Sequence, residues 1–119
     1  MLEVDRENFE AEVLASPEPV LVDFWGPACQ PCLALMPAVE ELEKRYAGRL
    51  RVVKVNAARN RRLCLEHRVL GLPAFLVFSR GREVGRLAGG EVSAAELERF
   101  VARMVEGAAE GEGVRAAEG

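Results

Sequence analysis

Residues 20–32 have the sequence VLVDFWGPACQPC, in which a run of strand-forming residues precedes a turn and a closely spaced cysteine pair. The run is apolar at every position except Asp23, which is typical of a central strand that helices cover on both faces. The glycine and proline that follow it end the strand. From Cys29 to about Tyr46 apolar side chains recur on one stripe, which predicts a helix. Cys29 and Cys32 are therefore expected at the beginning of that helix.

Around this segment the chain alternates between predicted strands and helices. The other predicted elements are a helix at 5–14, strands at 51–56, 74–78 and 83–88, a helical stretch at 60–67 and a last helix that begins at Ser93. Ser93 and Glu96 have the spacing of a capping box, which supports this last helix. Alternation followed by an antiparallel hairpin predicts an α/β fold, in which helices cover both faces of a mixed sheet.

The composition indicates one small domain. The chain has 119 residues, half of them apolar, which is enough to bury one core. Residues 1–106 are expected to form this domain, and residues 107–119, rich in Gly, Ala and Glu, to form a disordered tail. A net charge of −3 does not favour a nucleic-acid binder. The amino terminus lacks the apolar segment of a secretory signal and no apolar run could span a bilayer, so we expect a cytoplasmic protein without membrane contact.

The position of the cysteine pair at a helix start points to redox chemistry. Unpaired N–H groups in the first turn of a helix stabilise a thiolate, which lowers the pKa of the thiol and supplies the attacking species. Pro31 suits this turn, because its missing N–H costs little there. We therefore expect Cys29, nearer the exposed tip, to attack a substrate disulfide. Cys32, one turn further in, would then attack Cys29 and release the reduced substrate.

A structural disulfide or a zinc site is the alternative interpretation of the pair. A structural zinc ion needs about four ligands. Cys64 and His67, three positions apart on the same predicted helix, could complete a set of three cysteines and one histidine. The strand, turn and helix around the pair favour the redox interpretation. We therefore expect no metal, and no cofactor other than the redox-active disulfide itself.

Asp23 is the one ionisable residue in an otherwise apolar strand. Burial disfavours the charged carboxylate, so the pKa of Asp23 should rise. Such a group could accept the proton of Cys32 when that thiol attacks, directly or through a water. The alternative is a structural aspartate that backbone donors or Lys54, on the next strand, neutralise.

Cys64 and the arginine cluster each allow two interpretations, whereas Pro73 has one. Cys64 is either a regulatory thiol or, as we favour, a small half-buried apolar residue. The cluster of Arg59, Arg61 and Arg62 either attracts an acidic partner or is a solvated face, which is the commoner case. Pro73 precedes a buried strand and is interpreted as an ordinary proline at the start of a strand. The residues alone do not predict a cis bond before it, since most X–Pro bonds are trans.

The chain resembles the thioredoxin family. The resemblance needs no gap from Val20 to about Val101. It rests on Val20-Leu-Val-Asp-Phe-Trp25, Cys29-x-Pro31-Cys32, Pro37, Val53-Lys54-Val55-Asn56, Gly71-Leu72-Pro73, Gly81 and Gly89. It implies the thioredoxin fold, a central mixed five-stranded sheet flanked by about four helices.

The resemblance also implies roles for individual residues. Cys29 would be the nucleophile, Cys32 the buried resolving thiol, and Asp23 the buried acid–base group with Lys54 beside it. The peptide bond before Pro73 would be cis and would pack next to the cysteines. The residues expected to contact substrate are Trp25, Gln30, Pro31, Gly71, Leu72, Pro73 and Gly89. Implied partners are protein disulfides and a reductase that donates electrons, thioredoxin reductase or another. A monomer is the default expectation.

Two departures from the family pattern flank the nucleophile. Ala28 stands where tryptophan is usual, and Gln30 where glycine is usual. Loss of a large aromatic side chain beside the nucleophile should alter the set of partners, because interfaces draw much of their energy from such residues. A protein-disulfide reductase is the favoured function. The alternatives are a thioredoxin-fold binding module with inert cysteines and a disulfide donor of an oxidising compartment.

Overall fold

The strand within the 20–32 segment pairs with four others into one sheet. The structure, a computed structural model, describes the backbone of residues 1–118 and the side chains of residues 1–109. The strands are β1 (Leu2–Glu3), β2 (Val20–Trp25), β3 (Arg51–Asn56), β4 (Ala74–Ser79) and β5 (Arg82–Ala88). The helices are α1 (Gln30–Arg45), α2 (Arg61–Glu66) and α3 (Ala94–Glu118), with a π-helical turn at Glu10–Leu14 and a 3₁₀ turn at Ala57–Arg59.

The sheet has five strands in the order β1-β3-β2-β4-β5. β3 runs parallel to both β1 and β2, whereas β4 is antiparallel to β2 and to β5. Asp23 on β2 is therefore in register with Lys54 on one side and Phe75 on the other. The predicted α/β class and mixed five-stranded sheet are confirmed.

Residues of β2 alternate between two cores, one on each face of the sheet. Val22 and Phe24 pack with the π-helical turn and α2 on one face, and Leu21 packs with α1 and α3 on the other. Because strand side chains alternate, Asp23 and Trp25 lie on the same face as Leu21, beneath α1. The helix that begins with the cysteine pair therefore lies over the face that contains Asp23.

The first helical segment differs from the predicted helix at 5–14. Asp5 does act as a local cap, since its Oδ1 accepts hydrogen bonds from the N–H groups of Glu7 (2.9 Å) and Asn8 (3.1 Å). The segment then forms a single wide turn, which closes by a hydrogen bond of 2.8 Å from the Ala15 N–H to the Glu10 carbonyl. That bond spans five residues, which makes the turn a π-helix rather than an α-helix.

The last helix begins where the capping box predicts. The Ser93 N–H donates to Glu96 Oε1 (3.2 Å), and the Glu96 N–H donates to Ser93 Oγ (3.1 Å). The helical backbone of α3 continues to Glu118, through residues for which the sequence predicts a disordered tail. Gly119 lies outside the described residues. The domain limits of 1–106 and 107–119 stay a prediction.

Arg86, on β5, ties the sheet to the end of α2. Its guanidinium donates to the carbonyl oxygens of His67 (2.7 Å) and Arg68 (3.0 Å), and pairs with both carboxylate oxygens of Glu83 (2.6 and 2.7 Å). The carbonyl groups at a helix end lack partners within the helix, so this contact satisfies that of His67, the C-cap of α2, together with that of the next residue. It also fixes the start of the loop that runs from α2 to β4.

The sheet edges are short or irregular. β1 contributes only two residues, Leu2 and Glu3. At the other edge, the pairing of β4 with β5 shifts between Val77 and Phe78, which marks a β-bulge.

Among the described residues, no helix is long and apolar enough to cross a membrane.

Candidate active site

Cys29 and Cys32 form a disulfide at the amino end of α1. Their Cα atoms are 5.3 Å apart. Cys29 is the N-cap of the helix, and its Sγ accepts a hydrogen bond of 3.2 Å from the backbone N–H of Cys32. The N–H of Cys29 in turn donates to the carbonyl of Gly26, 3.0 Å away, which holds the turn that follows β2. Pro31 occupies the first helical turn, where the sequence predicted it.

The two cysteines differ in their access to solvent. Cys29 is partly exposed, whereas Cys32 is 1% exposed. The Cys29 sulfur also lies at the positive end of the α1 dipole and accepts an N–H donor there, both of which favour a thiolate once the disulfide is reduced. The geometry therefore provides one accessible sulfur, which can react with a partner molecule, and one buried sulfur, which a partner molecule cannot reach directly.

Asp23 is buried beneath this helix. It is 1% exposed, and neither carboxylate oxygen has a hydrogen-bond partner among the described residues. Burial raises the pKa of Asp23 to about 7, and the opposing effect of the Lys54 charge does not offset it. A carboxyl group with this pKa can both hold and release a proton near neutral pH.

Lys54 lies beside Asp23 in the sheet, but its ammonium group is engaged with a ring. The Nζ atom lies 5.2 Å from the centroid of the Trp25 ring, a cation–π contact. The Trp25 indole N–H is buried and has no hydrogen-bond partner among the described residues. Lys54 thus acts on Asp23 through its charge and, at the same time, packs the aromatic side chain at the end of β2.

The loop before β4 approaches the cysteines from the side. The peptide bond between Leu72 and Pro73 is cis, as the family resemblance implies. A Cβ placed on Gly26 would lie 3.3 Å from Leu72 Cδ1 and 3.9 Å from Cys29 Cβ, so Leu72 and Cys29 flank the same glycine. Pro73 itself is buried, and its carbonyl accepts a hydrogen bond of 3.0 Å from the Gly89 N–H.

The remaining predicted contact residues are accessible to solvent. Gln30 and Gly71 are exposed, and Pro31 is partly exposed. The sequence interpretation missed Gly90, where a Cβ would lie 3.7 Å from Pro31 Cγ, and it treated Gly26 only as the end of a strand. The adjacent pair Gly89-Gly90, ahead of the last helix, was the available signal for a close approach of backbone to the site.

The residues of the alternative zinc set are separated in the structure. The His67 ring packs against the rings of Phe9 and Phe78, with centroids 4.8 and 5.4 Å away. Cys64 is a free, buried thiol. Within the residues whose side chains are described, no three His, Cys, Asp or Glu side chains are grouped so as to hold a metal ion. His67 is half-buried, and its burial lowers its pKa.

Comparison with known proteins identifies relatives along most of the chain. The family model for thioredoxin matches residues 1–103. A thioredoxin of Acetoanaerobium sticklandii is 39% identical over 105 residues, which cover 88% of this chain and 100% of that protein. A thioredoxin of Peptoclostridium acidaminophilum is 35% identical over 105 residues, which cover 88% of this chain and 96% of that protein. Thioredoxin C-2 of Corynebacterium nephridii is 41% identical over 83 residues, covering 70% and 77%.

These matches and the site agree with one another. The family match covers all five strands and the cysteine pair. The pair forms a disulfide at a helix start, with an isolated carboxyl group beneath that helix. The chain therefore belongs to the thioredoxin family and is a thiol–disulfide oxidoreductase.

Proposed function

We propose that this chain reduces disulfide bonds in other proteins, with Cys29 as the attacking thiol and Cys32 as the resolving thiol. The observation that carries the proposal is the unequal exposure of the two sulfurs at the start of α1. Cys29 is partly exposed and Cys32 is 1% exposed, so a bulky substrate can meet only the first.

The reaction begins from the reduced form of the pair. The Cys29 thiolate attacks one sulfur of the substrate disulfide, so a mixed disulfide forms and one substrate sulfur leaves as a thiolate. The N–H of Cys32 and the positive end of α1 stabilise the Cys29 thiolate before this attack. No metal or other cofactor takes part in this step.

The second step needs a proton acceptor beneath the helix. Asp23, with a pKa of about 7 and no competing hydrogen bond among the described residues, accepts the proton of Cys32, directly or through a water. The Cys32 thiolate then attacks Cys29, which breaks the mixed disulfide and releases the second substrate sulfur. The substrate gains two electrons and the pair becomes the disulfide. Lys54 moderates the pKa of Asp23 through its charge.

The proposed substrate groove lies beside the exposed sulfur. The loop of Gly71, Leu72 and Pro73, with Gly89 bonded to it, would hold substrate backbone, and Trp25, Gln30 and Pro31 would border it. The oxidised pair is returned to the dithiol by an external dithiol donor, thioredoxin reductase or another reductase protein. The cytoplasm is the proposed compartment, since a reducing environment keeps such a pair supplied with electrons.

Reduction of insulin disulfides, with dithiothreitol as the electron source, tests the proposal. The wild-type protein should accelerate the reaction, Cys29→Ser should abolish the acceleration, and Cys64→Ser should leave it unchanged. Cys32→Ser should instead accumulate mixed disulfides with partner proteins, which a non-catalytic binding module would not form. Activity that survives in Cys29→Ser would overturn the assignment. A strongly oxidising equilibrium with glutathione would favour a disulfide donor instead.

A further inference from the structure

The loop that leads from α2 to Pro73 is attached at both of its ends to the last residues of β5 and the glycine that follows. At the far end, the Pro73 carbonyl accepts a hydrogen bond of 3.0 Å from the Gly89 N–H. At the near end, the Arg86 guanidinium donates to the carbonyl oxygens of His67 (2.7 Å) and Arg68 (3.0 Å). One short stretch of chain therefore fixes where the loop begins and where it ends.

The near end of the loop is a helix terminus that requires a left-handed residue. The Val69 N–H donates to the Cys64 carbonyl (2.8 Å), and the Arg68 N–H donates to the Leu65 carbonyl (3.1 Å). These two bonds form a Schellman motif, in which the residue after the helix cap has a positive φ. Arg68 occupies that position, with a φ of +56°. Glycine is the usual residue there, because a Cβ disfavours the left-handed conformation.

Arg86 contacts the two peptide groups that flank this left-handed residue. The His67 carbonyl belongs to the peptide group before Arg68, and the Arg68 carbonyl belongs to the one after it. A change of Arg68 to a negative φ would rotate these two groups relative to each other, so one guanidinium could no longer bond to both carbonyls. The two hydrogen bonds therefore stabilise a turn that a residue with a Cβ disfavours.

Glu83 fixes the guanidinium in the position that these contacts need. Its Oε2 lies 2.6 Å from Arg86 Nε, and its Oε1 lies 2.7 Å from Arg86 Nη2. A two-point contact between a carboxylate and a planar guanidinium sets the orientation of the guanidinium as well as its distance. The side chain of Arg86 is thus placed before any substrate arrives.

The middle of the loop has few directional contacts of its own. Leu70 is 86% exposed, and Gly71 has open space where a Cβ would lie. Val69 and Leu72 pack against the core, but apolar contacts are non-directional. They keep the loop near the sheet without fixing the direction of its N–H and carbonyl groups. That direction depends on the hydrogen bonds at the two ends of the loop.

We propose that Arg86 is a positioning residue for polypeptide substrates. Held by Glu83, it maintains the left-handed turn at Arg68 and thereby keeps the backbone of the loop before Pro73 in the orientation that binds substrate. The inference rests on the proposed function, since it concerns the proposed substrate groove. None of the contacts described for Arg86 involves the cysteine pair. Its loss should therefore weaken substrate binding and leave the disulfide chemistry unchanged.

Steady-state reduction of insulin, with dithiothreitol as the electron source, measures the effect of Arg86→Ala. A Cβ disfavours the left-handed conformation by roughly tenfold. Without the guanidinium, about a tenth of the molecules would keep the loop in its binding orientation, so KM for insulin should rise about tenfold while kcat changes little. Arg82→Ala removes an exposed arginine from the same strand and should change neither constant.

A small substrate separates binding from chemistry. Bis(2-hydroxyethyl) disulfide has no polypeptide backbone for the loop to bind, so Arg86→Ala should reduce it at the wild-type rate, after subtraction of the rate without protein. The equilibrium of the cysteine pair with glutathione should also match that of wild type. Equal losses for insulin and the small disulfide, or an unchanged KM for insulin, would overturn the positioning role. Failure of the wild-type protein to reduce either substrate would instead overturn the proposed function.

A second substitution at position 68 tests the cause of the effect. Glycine adopts the left-handed conformation without a steric penalty, so adding Arg68→Gly to Arg86→Ala should return KM for insulin to near its wild-type value. Adding Arg68→Ala instead removes the same charge but keeps a Cβ, and KM should stay raised. Equal KM values in the two double variants would contradict the proposal, because the loop would then not depend on the conformation of this residue.

Discussion

Asp23 should make the stability of the oxidised protein depend on pH. Its carboxyl group has an ordinary pKa of 3.8 in an unfolded chain and about 7 in the folded protein, because burial disfavours the charged form. Between these two values the folded state holds a proton that the unfolded state has released. The free energy of unfolding must then fall as the pH rises from about 3.8 to about 7, and must level off above that range.

The size of this effect follows from the two pKa values. Each tenfold change in a protonation equilibrium corresponds to about 1.4 kcal/mol, and the difference between 3.8 and about 7 spans a little more than three such factors. The charged carboxylate therefore destabilises the fold by about 4 kcal/mol at pH 8. Asp23→Asn keeps the size of the side chain and cannot ionise. The variant should be more stable than wild type by that amount at pH 8, and nearly equal to it at pH 4.

Urea denaturation of the oxidised proteins at several pH values measures this difference. The disulfide form is used because Cys29 and Cys32 do not titrate in it. With a denaturant dependence of about 2 kcal/mol per molar urea, the midpoint of Asp23→Asn should rise by about 2 M at pH 8. Glu40→Gln removes an exposed carboxylate from α1 and controls for the change in net charge. A gain that is as large at pH 4 as at pH 8, or no gain at either, would refute the reasoning.

Three further substitutions test interactions that stabilise the fold around the site. Gly81→Ala should cost about 1–2 kcal/mol, because Gly81 has a φ of +80°, which residues with a Cβ rarely adopt; chemical denaturation measures it. Ser93→Ala should cost about 1 kcal/mol in the same assay through loss of the capping box. Arg86→Ala should speed backbone amide exchange in α2 by about tenfold, since the guanidinium no longer satisfies the carbonyls at its end.

Each of these substitutions has a control within the chain. Gly71→Ala meets open space at an ordinary φ and should stay within about 0.5 kcal/mol of wild type; a similar loss at both glycines would contradict the argument from φ. Glu96→Gln preserves the capping box, so a loss equal to that of Ser93→Ala would exclude capping as the cause. Arg86→Lys keeps the charge but not the forked donor geometry, and normal amide exchange in that variant would show that charge alone suffices.

The elements nearest the cysteines could be predicted closely from sequence, because their signals are local. The unbroken apolar run predicts β2, and the structure assigns the strand to the same residues, Val20–Trp25. The strand predicted at 51–56 and the capping box at Ser93 are likewise found. In each case the side-chain pattern and the flanking turn or cap indicate the same boundary. The rise in the pKa of Asp23 was predictable for the same reason, since an apolar strand implies burial.

Features that depend on contacts distant in sequence could not be predicted in this way. The two residues of β1 are both exposed and have no periodic pattern, so only their pairing with β3 identifies them as a strand. The wide turn at Glu10–Leu14 has the apolar spacing of an α-helix. Nothing in the sequence around His67 indicates that its ring packs against the rings of Phe9 and Phe78. The cis bond before Pro73 is a minority state of such bonds, and resemblance rather than periodicity predicted it.

The two irregular edges of the sheet bear on how this protein can meet unfolded chains. An exposed, unpaired strand of another chain can add to an open sheet edge and form aggregates. β1 is too short to act as such a template, and the bulge at Val77 and Phe78 interrupts the regular pairing of β5, which also carries Arg82, Glu83 and Arg86. Backbone pairing with a client is thereby discouraged along the sheet. We therefore expect other chains to contact the cysteine end of the molecule, where disulfide exchange releases them.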